Sequence, residues 1–106
     1  LTLAELLQEL REIGYPIAYA KFNSEPSPPY LVYSFAYSND LIADNINYSE
    51  IGNYQIELYT TQKDLVAEGK VQEKLKELGI PYSKVEAYLD SEKLHQVIYE
   101  IQIIGG

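Results

Sequence analysis

The segment Leu10-Arg-Glu-Ile-Gly-Tyr-Pro16 returns in the second half of the chain as Leu75-Lys-Glu-Leu-Gly-Ile-Pro81. In each copy an amphipathic run meets a glycine suited to the left-handed position after a helix, then a proline that cannot continue it. Working back from the first copy, Leu3, Leu6, Leu7, Leu10 and Ile13 recur at helical spacing, and Thr2-Leu-Ala-Glu5 has the form of a capping box. This predicts a helix from Leu3 to Ile13. Working back from the second, Ala67, Val71, Leu75 and Leu78 form an apolar stripe, with a capping signal in Thr61-Gln-Lys-Asp64. Both copies lead forward into strand patterns, Ile17–Phe22 and Tyr82–Leu89. The shared motif is also simply an effective way to stop a helix, so it speaks to geometry more than to ancestry.

The remaining strands are read from alternation. In Tyr30–Ser38 one row is Leu31, Tyr33, Phe35, Tyr37 and the other is Tyr30, Val32, Ser34, Ala36, which predicts a central strand covered on both sides. Tyr54–Thr60 places Tyr54, Ile56 and Leu58 inward and Gln55, Glu57 and Tyr59 outward. Asp90-Ser-Glu-Lys93 is a turn that joins Tyr82–Leu89 to Leu94–Ile104 as an antiparallel hairpin. Asn23-Ser-Glu-Pro-Ser-Pro-Pro29 is a stiff connection, because proline fixes φ and donates no hydrogen bond. The order α-β-β-β-α-β-β predicts an α+β fold, with two helices packed on one face of a four- to five-stranded antiparallel or mixed sheet. A chain of 106 residues is expected to form a single domain (1–106), here with a long loop at about 39–53. That loop mixes Leu41, Ile42, Ile46, Tyr48 and Ile51 with Asp40, Asp44, Asn45, Asn47 and Glu50. Such a mixture either folds onto its own domain or waits for a partner.

Little in the chain suggests chemistry. Without cysteine there is no disulfide framework, thiolate metal site or thiol nucleophile. His95 is the only histidine, and nothing in the spacing selects a nucleophile or an orienting acid for it. Asp40, Asp44, Asn45 and Asn47 match a calcium loop poorly, since the nearest following glycine is Gly52. The glycines form no phosphate-binding loop. The expectation is therefore no enzyme, no cofactor and no metal. No apolar run is long enough to cross a bilayer. The net charge of −8 is uneven: between Lys21 and Lys63 there is no Lys or Arg, while Glu25, Asp40, Asp44, Glu50 and Glu57 lie inside. That acidic stretch should repel phosphate backbones and anionic lipids, against sequence-specific nucleic-acid binding and membrane association.

Eleven tyrosines, against two phenylalanines and no tryptophan, point instead to docking, because a tyrosine ring covers apolar surface while its hydroxyl tolerates water. Tyr33, Tyr37 and Tyr54 are expected in the core. The candidate interface comprises Asp40, Leu41, Ile42, Asp44, Ile46, Tyr48 and Glu50 from the loop, with Tyr59, Tyr82 and Tyr88 on the sheet face away from the helices.

Tyr54-Gln-Ile-Glu-Leu-Tyr-Thr60 with Lys63-Asp64, then Gly79-Ile-Pro-Tyr82, and Ser91-Glu-Lys93 leading to Val97-Ile-Tyr-Glu-Ile101, resemble small structural proteins of siphophages and prophages of Gram-positive bacteria. Ser27-Pro-Pro-Tyr-Leu-Val-Tyr33 and Ala43-Asp-Asn45 extend the likeness over nearly the whole chain. The family is that of tail-completion, tail-terminator or head–tail joining proteins. The resemblance implies a non-enzymatic virion assembly protein, made in the host cytoplasm. It would form a homo-oligomeric ring, commonly hexameric, between the tail-tube protein and the head-connector proteins. The acidic middle (Glu25, Asp40, Asp44, Glu50) would then line a channel through which DNA slides without adhering. The alternative is a small bacterial α+β protein-interaction module acting as monomer or dimer.

Overall fold

The computed structural model describes residues 1–38, 41–43, 46–49 and 51–104, and over 38–49 its description is of backbone pairing only. Helix α1 spans Leu3–Arg11 and α2 spans Leu65–Glu77. The strands are β1 Ile17–Tyr19, β2 Tyr30–Ser38, β3 Leu41–Ala43, β4 Ile46–Ser49, β5 Ile51–Thr60, β6 Ser83–Leu89 and β7 Leu94–Ile104. Five of them make one mixed sheet in the order β1-β2-β5-β7-β6, with β1 parallel to β2 and the other pairs antiparallel. The fold is α+β, with both helices on one face, in the order read from the sequence once the small β3–β4 sheet is set apart.

The helix ends follow their local chemistry. Thr2 accepts a hydrogen bond from the Glu5 N–H and the Glu5 carboxylate reaches back to the Thr2 N–H, closing the capping box. For α2 the cap is Asp64, whose carboxylate accepts from the Ala67 N–H at 3.0 Å; Thr61 plays no part in it. Gly14 (φ 96°) and Gly79 (φ 68°) terminate the two helices in the left-handed region. Nothing lies within 4 Å of a Cβ built at Gly79, nor of one built at Gly69 in the middle of α2. Backbone preference alone therefore decides both substitutions. Gly79→Ala is expected to cost about 1 kcal/mol, whereas Gly69→Ala should add about 0.5–1 kcal/mol. Urea melts of the two variants should show midpoints moving in opposite directions.

The two Gly-x-Pro stops deliver the chain to opposite borders of the sheet, since β1 and β6 are its two edge strands. The repetition ends there, because β1 runs parallel to β2 while β6 pairs antiparallel with β7. β1 is also shorter than expected: its three residues stop at Ala20, whose φ of 64° turns the backbone out of the strand.

The core lies between the helices and the sheet. Leu6 and Leu10 of α1 and Ala67, Val71 and Leu75 of α2 pack on Leu31, Ile56, Leu58, Val97, Tyr99, Ile101 and Ile103. Lys74, on α2, ties the helices together by reaching Glu9 of α1 (3.3 Å) and Glu12 at its C-cap (3.2 Å). A second, smaller cluster covers one end of the other sheet face. There Tyr30, Val32 and Leu94 are buried beneath Phe22 and Tyr59. Only the first half of β2 is thus covered on both sides. The pairing with β5 shifts between Phe35 and Tyr37, so a bulge interrupts the alternation. Tyr37 consequently lies opposite Asn53 and is 57% exposed, which corrects its expected place in the core, whereas Tyr33 and Tyr54 do pack against it.

The stretch read as irregular contains a hairpin, β3 antiparallel to β4, and β5 begins at Ile51 rather than Tyr54. Residues 51–53 therefore belong to the main sheet. Asp40, Asp44 and Glu50 lie outside the described residues.

Candidate interaction surface

The register fixes the face of the sheet opposite the helices, because directly paired residues share a face. One rung runs Val32–Glu57–Ile98–Val85, the next Ser34–Gln55–Glu100–Ser83, and a third Asn53–Gln102. Both helices pack on the other side; here Ser83, Val85, Glu100 and Gln102 are exposed, whereas Val32 at the Tyr30 end and Asn53 at the far end are buried. It is an amide-rich surface: Gln102 Nε2 donates to Asn53 Oδ1 at 3.1 Å, and Gln96 Nε2 donates to Glu57 Oε1 at 2.9 Å. Such side chains are at home in water, yet they also offer donors and acceptors in a fixed array to a protein partner.

Tyr59 belongs to this face, as its place in the alternation predicts. Its ring stacks on Tyr30 with centroids 5.0 Å apart, and its hydroxyl donates to Glu57 Oε1 at 2.7 Å while accepting from Gln96 Nε2. Burial, then the hydrogen bond to Glu57 and its charge, drive the Tyr59 hydroxyl well above the ordinary tyrosine range. Tyr30 is pushed up to about 12 by burial and by its hydrogen bond to Glu25. Both phenols therefore remain neutral donors at any physiological pH. Glu25, expected on the channel-lining surface, is exposed and occupied by this bond.

Tyr82 and Tyr88 are not on that face, contrary to expectation. Tyr88 pairs with His95, which pairs with Thr60, and so shares the helix-bearing side with Leu58 and Val97. Tyr82 packs edge-on against Tyr99, a core residue, at 5.3 Å. Both stay exposed because they sit on and beside the outermost strand. Leu41 and Ile42 fall on β3, and Ile46 and Tyr48 on β4, with Ala43 opposite Ile46 and Ile42 opposite Asn47. Among the described candidates, Tyr59 thus lies on the open face, Tyr82 and Tyr88 at the β6 border, and Leu41, Ile42, Ile46 and Tyr48 in the β3–β4 hairpin.

A cluster of charged side chains, Lys63, Glu68, Lys84, Glu86 and His95, lies at the β6 border on the helix side. Glu68 of α2 is 2% exposed. Its carboxylate meets Lys84 Nζ at 2.6 Å and Lys63 Nζ at 2.9 Å. Lys63 also reaches Glu86 at 2.9 Å, and Glu86 lies 3.2 Å from His95 Nε2. Burial raises the Glu68 carboxyl, but hydrogen bonds and charge from Lys84 and Lys63 outweigh it and hold the group below the ordinary carboxylate value. A signal was present in the sequence: Glu68, Val71 and Leu75 fall at i, i+3 and i+7, so an acid occupied the apolar stripe itself.

Chemically this cluster is a structural ion network. His95 faces Glu86, whose side chain is 43% exposed, while the buried carboxylate is bound by two lysines. None of the cavities described among these residues is lined by His95. The described residues contain no group of three or more His, Cys, Asp or Glu placed to hold a metal ion. No described helix is long and apolar enough to cross a membrane. Among known proteins, no family model matches the chain and no curated protein matches it significantly.

Proposed function

We propose that the protein is a non-enzymatic virion assembly subunit, a tail-completion or head–tail joining protein that acts by docking to copies of itself and to the end of a phage tail tube. The observation that carries this reading is the open sheet face: β2, β5, β7 and β6 present Tyr37, Gln55, Gln102 and Val85 there, with both helices packed on the opposite side. Such a face, together with the separate β3–β4 hairpin, supplies two different patches on one subunit, as heterologous contacts around a closed ring require. The sequence resemblance to siphophage joining proteins gives that surface its partners, the tail-tube and head-connector proteins.

The test is association with purified siphophage tail tubes, read by electron microscopy. The subunit should cap tubes at one end only and stop their further growth. Gln55→Arg/Gln102→Arg, which places charge on the open face without touching the core, should remove capping while leaving the circular dichroism spectrum unchanged. Tubes that continue to elongate in the presence of excess folded wild-type protein would overturn the reading.

A further inference from the structure

The two borders of the sheet are finished differently. β1 is blunted: it is three residues long and ends at a left-handed alanine. Short edges of this kind resist pairing with other chains. β6 has no such protection. It is seven residues long, six of them exposed, and no described strand lies beyond it. A long, regular edge on one side only calls for a covering partner, and the sequence of β6 specifies which.

We infer that β6 pairs antiparallel with β6 of a second copy of this chain, about a two-fold axis at Val85. When two copies meet across such an axis the same sheet face is up in both, so only residues of equal parity can stand opposite each other. With Val85 opposite itself, Lys84 faces Glu86 of the second copy and Glu86 faces Lys84. Ser83 then faces Ala87, and Tyr82 faces Tyr88. Opposite charges and aromatic pairs directly across a ladder are both favourable. Val85 is 53% exposed and Tyr88 52%, so the paired groups are at the surface to meet.

The neighbouring registers lack this match. Centring on Glu86 sets two carboxylates against each other, and centring on Lys84 sets two ammonium groups against each other. Of the registers that pair most of the strand, only the Val85-centred one gives both Lys84 and Glu86 an opposite charge. The internal network supports it: Lys84 is held to Glu68, and Glu86 to Lys63 and His95, so both side chains are already ordered on the helix side. Pairing therefore extends an existing charge lattice across the axis. The contact is isologous and independent of the tail-joining reading; it leaves the hairpin, the β1 border and most of the open face free.

One edge strand covers less than the roughly 800 Å² per partner of a stable complex, so the dimer should be concentration-dependent. The chain has no cysteine, which makes a single introduced thiol an unambiguous reporter. In Val85→Cys the two thiols meet on the axis, at a separation close to that of a disulfide. In Ala87→Cys they stand four residues apart along the strands, roughly 13 Å, too far to bridge. Both positions are exposed and outside the ion network. Under mild oxidation V85C should convert to covalent dimer at least tenfold faster than A87C or S24C, and sedimentation of the wild type should show dimer rising between about 10 μM and 1 mM. Equal rates for V85C and S24C, faster bridging in A87C, or a monomer throughout the range would each overturn the proposal. Tail-tube capping is a separate readout, so loss of either property does not entail loss of the other.

Discussion

Removing both lysines around Glu68, in Lys63→Ala/Lys84→Ala, will strand the buried carboxylate, and the cost of leaving Glu68 unpaired is about 3 kcal/mol. The figure lies at the lower end of the range for broken buried pairs because truncating the two lysines admits water at the sheet border. For a domain whose whole stability is about 5–15 kcal/mol, that is a large fraction. The pH dependence identifies the cause. In the wild type the Glu68 carboxyl is held below its ordinary value of 4.5. Its contribution is therefore complete above that pH and fades as pH falls through the lower folded-state value. In the double variant burial acts alone and raises the group, so the penalty is greatest at neutral pH and is relieved on acidification. The difference in unfolding free energy between the two proteins should shrink from pH 7 to pH 4. Urea titrations at both pH values measure it; a gap that stays constant would show that the lysines act through packing instead.

The second large effect is expected at Ile56. This residue is fully buried at the centre of β5, the middle strand of the sheet, among side chains from both helices. Ile56→Ala should cost about 2–5 kcal/mol, the loss of transfer energy plus the cavity left under two helices that cannot both move in. Val85→Ala, an equally apolar truncation on the exposed face, should change stability by less than about 0.5 kcal/mol. The contrast separates the two faces of one sheet by experiment. A comparable loss at both positions would mean that the open face is covered in solution, and measuring Val85→Ala as a function of protein concentration would then report the dimer.

The elements most clearly written in the chain are those whose signals are local. The Thr2 capping box, the Gly14 and Gly79 stops, and the limits of β2 and β7 were all legible because each depends on neighbours within a few residues. Alternation also placed Ile56 and Leu58 inward and Glu57 and Tyr59 outward correctly. What failed was information carried by pairing. The face of Tyr88 follows from its register with His95, which β6 alone does not state. The exposure of Tyr37 follows from a bulge against Asn53. The β3–β4 hairpin has strands of three and four residues, too short for any period to show through the interspersed Asn and Asp. Asp64, not Thr61, caps α2 because its carboxylate stands three residues before the Ala67 N–H that it satisfies. The Lys63–Glu68–Lys84 cluster joins a loop, a helix and an edge strand, and only the acid within the apolar stripe gave any warning of it.

The place of β7 bears on how the chain is made. It follows the other four strands of the sheet in sequence, yet it lies inside the sheet, between β5 and β6. As the polypeptide leaves the ribosome, β5 has β2 on one side but nothing on the other, and β6 has no partner at all, until Leu94–Ile104 emerges. The helices likewise lack Val97, Tyr99, Ile101 and Ile103, a large part of the surface against which they pack. Folding of this unit is thus deferred until β7 has been made and is dominated by contacts distant in sequence, a slow class of topology. A nascent chain stalled before residue 94 should remain open to protease throughout, and one extended past residue 104 should become resistant in a single step.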